Sequence, residues 1–150
     1  MQVEIERASI QNLDVLHEIE KKCFQDGQMN KQQIAYWINA SNGVCLVSRV
    51  KHEIAGFIIG RIHIEKESIS SHILTVDVLP RYHCKGIGLK LLEEIEEIFR
   101  NKGVKKCQLE VQEDNIPALK LYKKVGYKEA KILENYYGAT NGIRFKKHLT

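Results

Sequence analysis

The sequence predicts an α/β fold in which one mixed, mostly antiparallel sheet carries helices on both faces. Strand-like and helix-like apolar periods alternate along the chain in the order β-α-α-β-β-β-α-β-α-β-β. Between residues 73 and 111 a strand, a glycine turn, an amphipathic helix and a second strand follow one another, which predicts a right-handed crossover between parallel strands. The 150 residues, 43% of them hydrophobic and 28% charged, fit one domain spanning residues 1–150.

The first half of the chain shows clear element boundaries. Residues 3–8 alternate apolar and polar side chains and form a predicted strand. Apolar residues then recur at helical spacing from Leu13 to Phe24, with Ser9 or Asn12 as the cap, and residues 24–29 break this helix. Asn30 opens the next helix, with Gln33 completing a capping box, and the predicted buried side of this helix holds Ile34, Trp37 and Ile38. A hairpin follows, with strands at 44–50 and 54–64 and a turn at 51–53.

The second half continues with alternating strands and helices. Residues 65–71 are polar and form a predicted connection before a strand at 73–79. The helix that follows has an apolar face, and its glutamates Glu93, Glu94, Glu96 and Glu97 are expected in solvent. The remaining elements are a strand at 106–112, a helix capped by Asn115 and ended by Gly126, strands at 127–132 and 143–148, and an aromatic, glycine-rich loop at 134–142.

Composition argues against several classes of protein. No apolar run reaches the roughly 18–20 residues that a membrane span needs, and the first residues lack the apolar segment of a signal peptide. We therefore expect a cytoplasmic protein with no membrane partner. The net charge of +4 is mild and basic residues are interleaved with acidic ones, so we expect no nucleic-acid partner.

The four cysteines show neither disulfide nor metal-site spacing. None forms a C-x-x-C pair, and no histidine lies at ligand spacing from them, so no metal is expected. Cys23, Cys45 and Cys107 are interpreted as small buried apolar residues of a reducing compartment. Cys84 lies in the glycine turn and is expected to be partly exposed.

The turn between residues 76 and 92 suits an anionic group such as a phosphate. The first N–H groups of a helix have no intrahelical partner and carry the positive end of the helix dipole. Gly86 and Gly88 permit close approach of a ligand to the main chain, and Lys85 adds a cation. The glycines alone fit an ordinary strand-to-helix connection equally well.

Several polar side chains are candidates for chemistry. Glu110 lies in the middle of a predicted strand, where it is either a general base or a solvated glutamate. Tyr122 is either a core tyrosine or a proton donor. Asn115 is either a helix cap or a ligand contact, and Asp77 is better explained as a hydrogen-bonded polar residue than as a second base.

Taken together, these motifs resemble the GNAT superfamily of acetyl-CoA-dependent N-acetyltransferases, and within it the RimI-type and archaeal N-terminal acetyltransferases. The resemblance covers nearly the whole chain. The family's pyrophosphate motif corresponds to His83-Cys84-Lys85-Gly86-Ile87-Gly88. Leu109-Glu110-Val111, Asn115, Leu121-Tyr122 and Gly126-Tyr127 resemble the second half of the signature, and Asn135-Tyr136-Tyr137 resembles an element of this branch.

The resemblance implies a role for each matched position. Main-chain amides of Cys84, Lys85, Gly86, Ile87, Gly88 and Leu89 would hold the pyrophosphate of acetyl-CoA, while Val76, Asp77, Val78 and Asn115 would contact its pantetheine arm. Glu110 would act as general base and Tyr122 as general acid. Phe24, Tyr136 and Tyr137 would line the acceptor groove.

Two departures from the family pattern affect what is implied. His83 replaces the usual arginine or glutamine, and Cys84 replaces a common glycine. Binding through main-chain amides tolerates both changes, at some cost in affinity. Residues 24–29 lack the aspartate–proline–tryptophan element of this branch, so the acceptor is the least secure inference.

The implied reaction is direct attack of a neutral amine on the acetyl thioester in a ternary complex, with a main-chain N–H at a strand bulge near Val78 stabilising the oxyanion. Deprotonating an α-amine at pH 7 costs about 1 kcal/mol, whereas a lysine amine costs about 4.6 kcal/mol. This favours the N-terminal α-amine of a protein or peptide as acceptor.

Other functions stay open at this point. The chain is alternatively an acetyltransferase of a small amine, such as a metabolite, polyamine or antibiotic, or a non-catalytic acyl-CoA-binding regulatory domain. We expect acetyl-CoA and a protein N-terminus as partners and a monomer or homodimer as the assembly.

Overall fold

The computed structural model describes residues 1–24 and 29–150. Within these residues, the elements are β1 Val3–Arg7, α1 Leu13–Cys23, α2 Lys31–Asn39, β2 Gly43–Val50, β3 Glu53–Ile64, β4 Ile69–Val78, α3 Ile87–Asn101, β5 Lys106–Gln112, α4 Ile116–Val125, β6 Lys128–Tyr137 and β7 Thr140–His148. The seven strands form one sheet in the order β1-β2-β3-β4-β5-β7-β6, and the four α-helices pack against it. None of the helices in these two ranges has the length and apolarity that crossing a bilayer requires.

The predicted fold class and element order are confirmed. β4 and β5 run parallel, as the crossover predicts, and every other neighbouring pair is antiparallel. The hairpin between β2 and β3 turns at Lys51 and His52, with Val50 opposite Glu53. Its first turn residue, Lys51, has a φ of 54°. The left-handed conformation suits a two-residue turn, because it matches the twist of the flanking strands.

Two predicted boundaries are wrong. β4 begins at Ile69, four residues before the predicted strand, because pairing satisfies its polar side chains; Ser71 Oγ, for example, donates to the Lys106 carbonyl at 3.0 Å. The predicted loop at 134–142 belongs mostly to β6 and β7. Its chain reversal is confined to Gly138, with a φ of 78°, and the following Ala139.

Two apolar cores lie on opposite faces of the sheet. On one face α3 buries Leu91, Leu92, Ile95 and Phe99 completely, as its predicted apolar side requires. On the other face α1 and α2 contribute Leu16, Ile19 and Ile34 to a second cluster. The expectation that Glu96 lies in solvent is wrong: it is 2% exposed, and Lys147 Nζ of β7 lies 2.7 Å from its Oε1. Lys147 compensates this buried charge. Helical periodicity could not predict the contact, because Lys147 lies in β7, far from α3 in sequence.

The predicted helix caps are mostly confirmed. Asn30 accepts from the Gln33 N–H, and Gln33 accepts from the Asn30 N–H, both at 2.8 Å. Asn115 Oδ1 accepts from the Ala118 N–H at 3.2 Å, and Gly126 ends α4 with a φ of 103°. Asn12 immediately precedes α1, but its side chain accepts from the Ser9 N–H instead of capping that helix. The predicted break at 24–29 lies largely outside the described residues.

A bulge in β4 and the divergence of β4 from β5 open the sheet. Gly60 of β3 lies opposite Ile73, and Ile59 opposite Thr75, so Leu74 is an extra residue in β4. β4 and β5 pair only where residues 70–72 face residues 106–108. The bulge therefore lies at Leu74, not near Val78 as predicted from the sequence. Past this point the two strands separate and leave a cleft between them.

Candidate active site

The cleft between the diverging strands has a volume of about 620 Å³. Its walls come from the end of α1, the bulged part of β4, the end of β5, the start of α4 and the end of β6. The lining residues are Cys23, Phe24, Leu74, Thr75, Val76, Glu110, Val111, Gln112, Asp114, Asn115, Ala118, Tyr122 and Tyr137. Six of the residues singled out from the sequence as site candidates thus line one cleft, namely Phe24, Val76, Glu110, Asn115, Tyr122 and Tyr137.

The glycine turn follows directly on β4 and opens α3. Cys84 and Gly86 both have positive φ values, 60° and 80°, and Lys90 N donates to Gly86 O at 3.0 Å as the first helical bond. Gly86 is required by its left-handed conformation. At Gly88 a Cβ would lie 3.2 Å from Leu121 Cδ2, so glycine there lets α3 approach α4 closely.

The N–H groups from Ile87 to Leu89 are in the first turn of α3 and have no intrahelical carbonyl to bind. They are available to an anion at this end of the helix. Lys85 in the turn is exposed. His83 is held in place by its ring, since Nε2 lies 2.7 Å from the Val78 carbonyl oxygen. Residues 84–89 and Val78 do not themselves line the cleft.

Glu110 sits at the centre of an ion-pair cluster. Its side chain is 8% exposed, and its two oxygens lie 2.6 Å from His72 Nε2 and 2.9 Å from Arg144 Nε. Burial alone would raise the pKa of Glu110, but the hydrogen bonds and charges of His72 and Arg144 outweigh it and lower that pKa below its ordinary value. Glu110 is therefore an ionised carboxylate at neutral pH, with its two partners already bound.

Sequence reasoning missed both partners of Glu110. His72 lies in β4, next to the polar stretch that was predicted to be a connection. Arg144 is opposite Glu110 only because β5 pairs with β7 in this register. Alternation within each strand could have placed these polar side chains on one face of the sheet, but nothing in the sequence specifies that register.

Tyr122 is buried among aromatic rings at the back of the cleft. It is 8% exposed, and its ring packs against Tyr127 and Phe145 at centroid distances of 6.1 and 6.3 Å. Burial raises the pKa of its phenol well above the ordinary value, so it stays protonated at neutral pH. Both interpretations from the sequence fit this position, because a core tyrosine and a proton donor each need the neutral phenol. Asn115 likewise both caps α4 and lines the cleft.

The paired tyrosines lie at the end of β6, beside the cleft. Tyr136 and Tyr137 meet edge to face with centroids 5.0 Å apart. Tyr137 lines the cleft, while Tyr136 is 50% exposed outside it. Gly142 of β7 makes room for both, because a Cβ there would lie 3.0 Å from Tyr137 Cε2 and 3.1 Å from Tyr136 Cβ. Phe24, at the end of α1, lines the cleft as well.

Asp77 is buried away from the cleft. Its side chain is 1% exposed and accepts a hydrogen bond from the Thr75 hydroxyl. The interpretation favoured from the sequence, a hydrogen-bonded polar residue, agrees with this geometry. Contact of its carboxyl group with a bound cofactor does not, since that group lies among α1 side chains; a main-chain contact stays a prediction.

Comparison with known proteins now identifies the family. Residues 13–127, about three quarters of the chain, match the Acetyltransferase (GNAT) family. The chain belongs to this family. The match includes α1, the glycine turn, β5 and α4, which together carry most of the cleft described above.

Individual GNAT relatives agree with this assignment. The N-alpha-acetyltransferase of Sulfurisphaera tokodaii is 34% identical to this chain over 103 residues, which cover 61% of this chain. The aligned part spans about 60% of that relative's own length.

Solved GNAT structures share the fold over nearly the whole chain. The ribosomal-protein-S18-alanine N-acetyltransferase from Escherichia coli superimposes with a TM-score of 0.89 at 22% identity, covering 99% of this chain and 95% of that one. Arabidopsis thaliana NAA60 in complex with acetyl-CoA gives a TM-score of 0.87 at 20% identity, covering 98% of each chain. At these identities the similarity establishes the fold, and the roles of the GNAT site residues remain predictions.

Proposed function

We propose that this GNAT chain transfers an acetyl group from acetyl-CoA to the N-terminal α-amine of a protein or peptide, by direct attack in a ternary complex. The observation that carries the proposal is the cleft at the β4–β5 divergence, where Glu110 and Tyr122 line the same cavity. Support comes from the names of the relatives, which include an N-alpha-acetyltransferase and a ribosomal-protein-alanine N-acetyltransferase.

The donor would bind across α3 and β4. The amides of residues 84–89 would hold the pyrophosphate at the start of α3, with Lys85 beside it. From there the pantetheine arm would run along residues 76–78, whose β5 side is not paired within the sheet. Asn115, at the start of α4, would contact the arm from the opposite wall. This arrangement directs the thioester into the cleft, towards Glu110 and Tyr122.

Glu110 would remove the amine proton through a water molecule. Its lowered pKa makes it a weak base, which is sufficient for an α-amine but poorly matched to a lysine amine. Neutralising the α-amine costs about 1 kcal/mol at pH 7, against about 4.6 kcal/mol for lysine. The His72 and Arg144 contacts thus favour the α-amine over a side-chain amine.

Tyr122 would protonate the departing thiolate, since its raised pKa keeps the phenol protonated. A main-chain N–H of the bulged stretch at residues 74–76, which lines the cleft, would stabilise the oxyanion. This placement replaces the oxyanion donor near Val78 inferred from the sequence. Because a thiolate leaves readily, the proton from Tyr122 contributes less to the rate than positioning of the amine does.

We further propose that the enzyme acts in the cytoplasm as a monomer or homodimer. All four cysteines are free, which suits a reducing compartment. Sedimentation of the purified protein determines the assembly. Fractionation of the cells that express it determines the compartment.

A CoA-release screen tests the proposed function. The substrates are peptides with free α-amines, the same peptides blocked at the N-terminus but containing lysine, and spermidine as a small polyamine. We expect CoA release with free α-amines and at least about 100-fold less with blocked lysine peptides, as the deprotonation costs require. Preference for spermidine would indicate a small-amine acetyltransferase instead. Acetyl-CoA binding without release for any amine would indicate a regulatory acyl-CoA-binding domain.

A further inference from the structure

Two carboxyl groups are buried together behind the wall of the cleft, and the proposed mechanism uses neither. Glu20 of α1 is 0% exposed and Asp77 of β4 is 1% exposed. The two side chains are within hydrogen-bonding reach of each other. Two ionised carboxylates in one buried site would repel and lose their hydration, so a shared proton is the arrangement that stabilises them.

Proton counting supports a protonated Asp77. The Thr75 hydroxyl is hydrogen-bonded to Asp77 Oδ1 and lies 3.3 Å from Glu20 Oε1, yet it has one proton to donate. Asp77 Oδ2 is buried, and no donor in residues 1–24 or 29–150 reaches it. A proton on Asp77 donated to Glu20 accounts for both observations. In agreement, burial and the contact with Glu20 raise the pKa of Asp77 well above its ordinary value.

The pair also connects α1 to the wall of the cleft. Glu20 Oε2 accepts from the Met29 N–H at 2.9 Å, and its main-chain carbonyl accepts from the Phe24 N–H, also at 2.9 Å. The bond to Phe24 is a main-chain helix bond that any residue at position 20 would make, whereas the Glu20 carboxyl group itself binds Met29 and lies 3.3 Å from the Thr75 hydroxyl. This carboxyl group therefore holds the end of α1 against β4, and Phe24, which lines the cleft, follows directly on that end. On the β4 side Thr75, which lines the cleft too, is bonded to Asp77. The Cys23 thiol adds a contact to the Val78 carbonyl at 3.3 Å.

We propose that Glu20 and protonated Asp77 form a carboxyl pair that positions Phe24 and Met29 against β4, and through them the acceptor amine. The proposal rests on the proposed function, in which the acceptor amine reacts in the cleft that Phe24 lines. Glu20 and Asp77 are positioning residues, because neither carboxyl group touches the substrate. The proposed pyrophosphate site on residues 84–89 lies on a different part of the chain, and the pantetheine arm would meet only the main chain of residues 76–78. Glu20, which the test replaces, lies in α1 and belongs to neither part of the donor site.

Other titratable groups near the pair do not ionise at neutral pH. Cys23 of α1, Cys45 of β2 and Tyr122 of α4 all lie within the electrostatic influence of Asp77. Burial raises the pKa of both thiols to about 12, and the pKa of the Tyr122 phenol is also raised. Because the folded protein favours the protonated form of Asp77, its contribution is complete at low pH. It is lost as the pH rises through the raised pKa.

Steady-state kinetics with two substituted proteins test the pair. For Glu20→Ala we expect the KM for the peptide to rise about tenfold while the KM for acetyl-CoA stays within about twofold, because only the acceptor end is released. Glu20→Gln keeps an acceptor for the Met29 N–H and supplies an amide N–H towards Asp77, so it should restore the peptide KM. Equal increases in both KM values, or an unchanged peptide KM, would overturn the proposal.

The matched control is Glu96→Ala. Glu96 is equally buried, but it lies in α3 on the opposite face of the sheet and does not line the cleft. We expect this change to lower stability and leave the peptide KM within about twofold of the original value. A peptide KM that rises as much as in Glu20→Ala would attribute the effect to general destabilisation and contradict a positioning role.

Two further measurements separate this proposal from the proposed function. We expect the peptide KM of the original protein to rise at alkaline pH, as Asp77 loses its proton. Asp77→Asn mimics the protonated acid, so its peptide KM should not show this rise. The rate of hydrogen exchange at the Met29 main-chain amide can be measured without any amine substrate. Glu20→Ala should increase this exchange rate at least tenfold, whereas Glu96→Ala should not. If no amine is acetylated, the proposed function fails while the exchange experiment still decides the connection between Glu20 and Met29.

Discussion

At the scale of single residues, the main result is that Glu110 does not act alone. The sequence could identify it as a carboxylate in the middle of a strand, because alternation places Leu109 and Val111 on the other face. It could not reveal the contacts from His72 and Arg144, which depend on the register of β4, β5 and β7. Against the effect of burial, the contacts of His72 and Arg144 lower the pKa of Glu110, and so influence which amines it can deprotonate.

Substitution of Glu110 by Gln should reduce kcat for a peptide substrate about 100-fold, in the range typical for loss of a general base. The amide keeps the size of the side chain but cannot accept a proton. Glu113→Gln is the matched control, because Glu113 is exposed in the turn that directly follows β5 and does not line the cleft. A kcat for Glu110→Gln within threefold of the control across the pH range would remove Glu110 from the mechanism.

Glu110 should also make stability depend on pH in acid. Its pKa is lowered in the folded protein, so it contributes stability above the unfolded value of about 4.3, and that contribution is lost as the pH falls through the folded value. Urea denaturation of the original protein and Glu110→Gln should therefore differ most near neutrality and converge on acidification. A difference that is constant between pH 7 and pH 3 would contradict this electrostatic contribution.

At the scale of elements, local sequence signals determine the helix ends, whereas pairing between strands determines where several strands begin. The caps at Asn30 and Asn115 and the glycine at 126 were predictable, because each acts within a few residues of sequence. The first residues of β4 and β7 could not be predicted as strand. These residues are polar, and they adopt strand conformation because a neighbouring strand pairs with them. The position of the bulge at Leu74 could not be predicted for the same reason, because the pairing of β4 with β3 defines it.

Gly142 lets β7 pass beneath the paired tyrosines, and Gly142→Val should displace both rings. We expect the peptide KM to rise about tenfold with little change in the KM for acetyl-CoA, because only the acceptor end is altered. Gly138→Ala is the control, since a Cβ there meets no atom within 4 Å and only the positive φ is disfavoured. If both KM values respond equally, the tyrosines do not form a separate acceptor wall.

At the scale of the whole molecule, the sheet separates two cores that meet different demands. The α3 face holds the larger cluster, including Phe99 and Phe145, and supports the glycine turn. The α1–α2 face holds the smaller cluster and the Glu20–Asp77 pair. The fold class and element order could be predicted from periodicity. The burial of Glu20 beside Asp77 and of Glu96 beside Lys147 could not, because a glutamate on a helix is ordinarily in solvent.

The ion pair between Lys147 and Glu96 joins the far half of the sheet to α3. Replacing Lys147 by Met should destabilise the protein by about 3 kcal/mol in urea denaturation. The buried carboxylate of Glu96 loses its nearer cation and keeps only the longer contact to Arg100 Nη2, at 3.3 Å. Lys146→Met is the control at an exposed neighbouring position and should change stability by less than about 0.5 kcal/mol. A similar loss in both would show that the pair contributes little.

The glycine turn also gives the protein a chemical reporter of its own. Cys84 is the exposed cysteine of the four, while burial raises the pKa of the Cys23 and Cys45 thiols to about 12 and that of Cys107 to about 11. A maleimide at neutral pH should therefore label the turn first, since thiolates are the reactive species. The rate of labelling, measured at increasing concentrations of acetyl-CoA, then reports how much of the anion site is occupied. The measurement needs no amine substrate and no engineered probe. The cysteine that departs from the family's glycine becomes the residue through which donor binding can be followed.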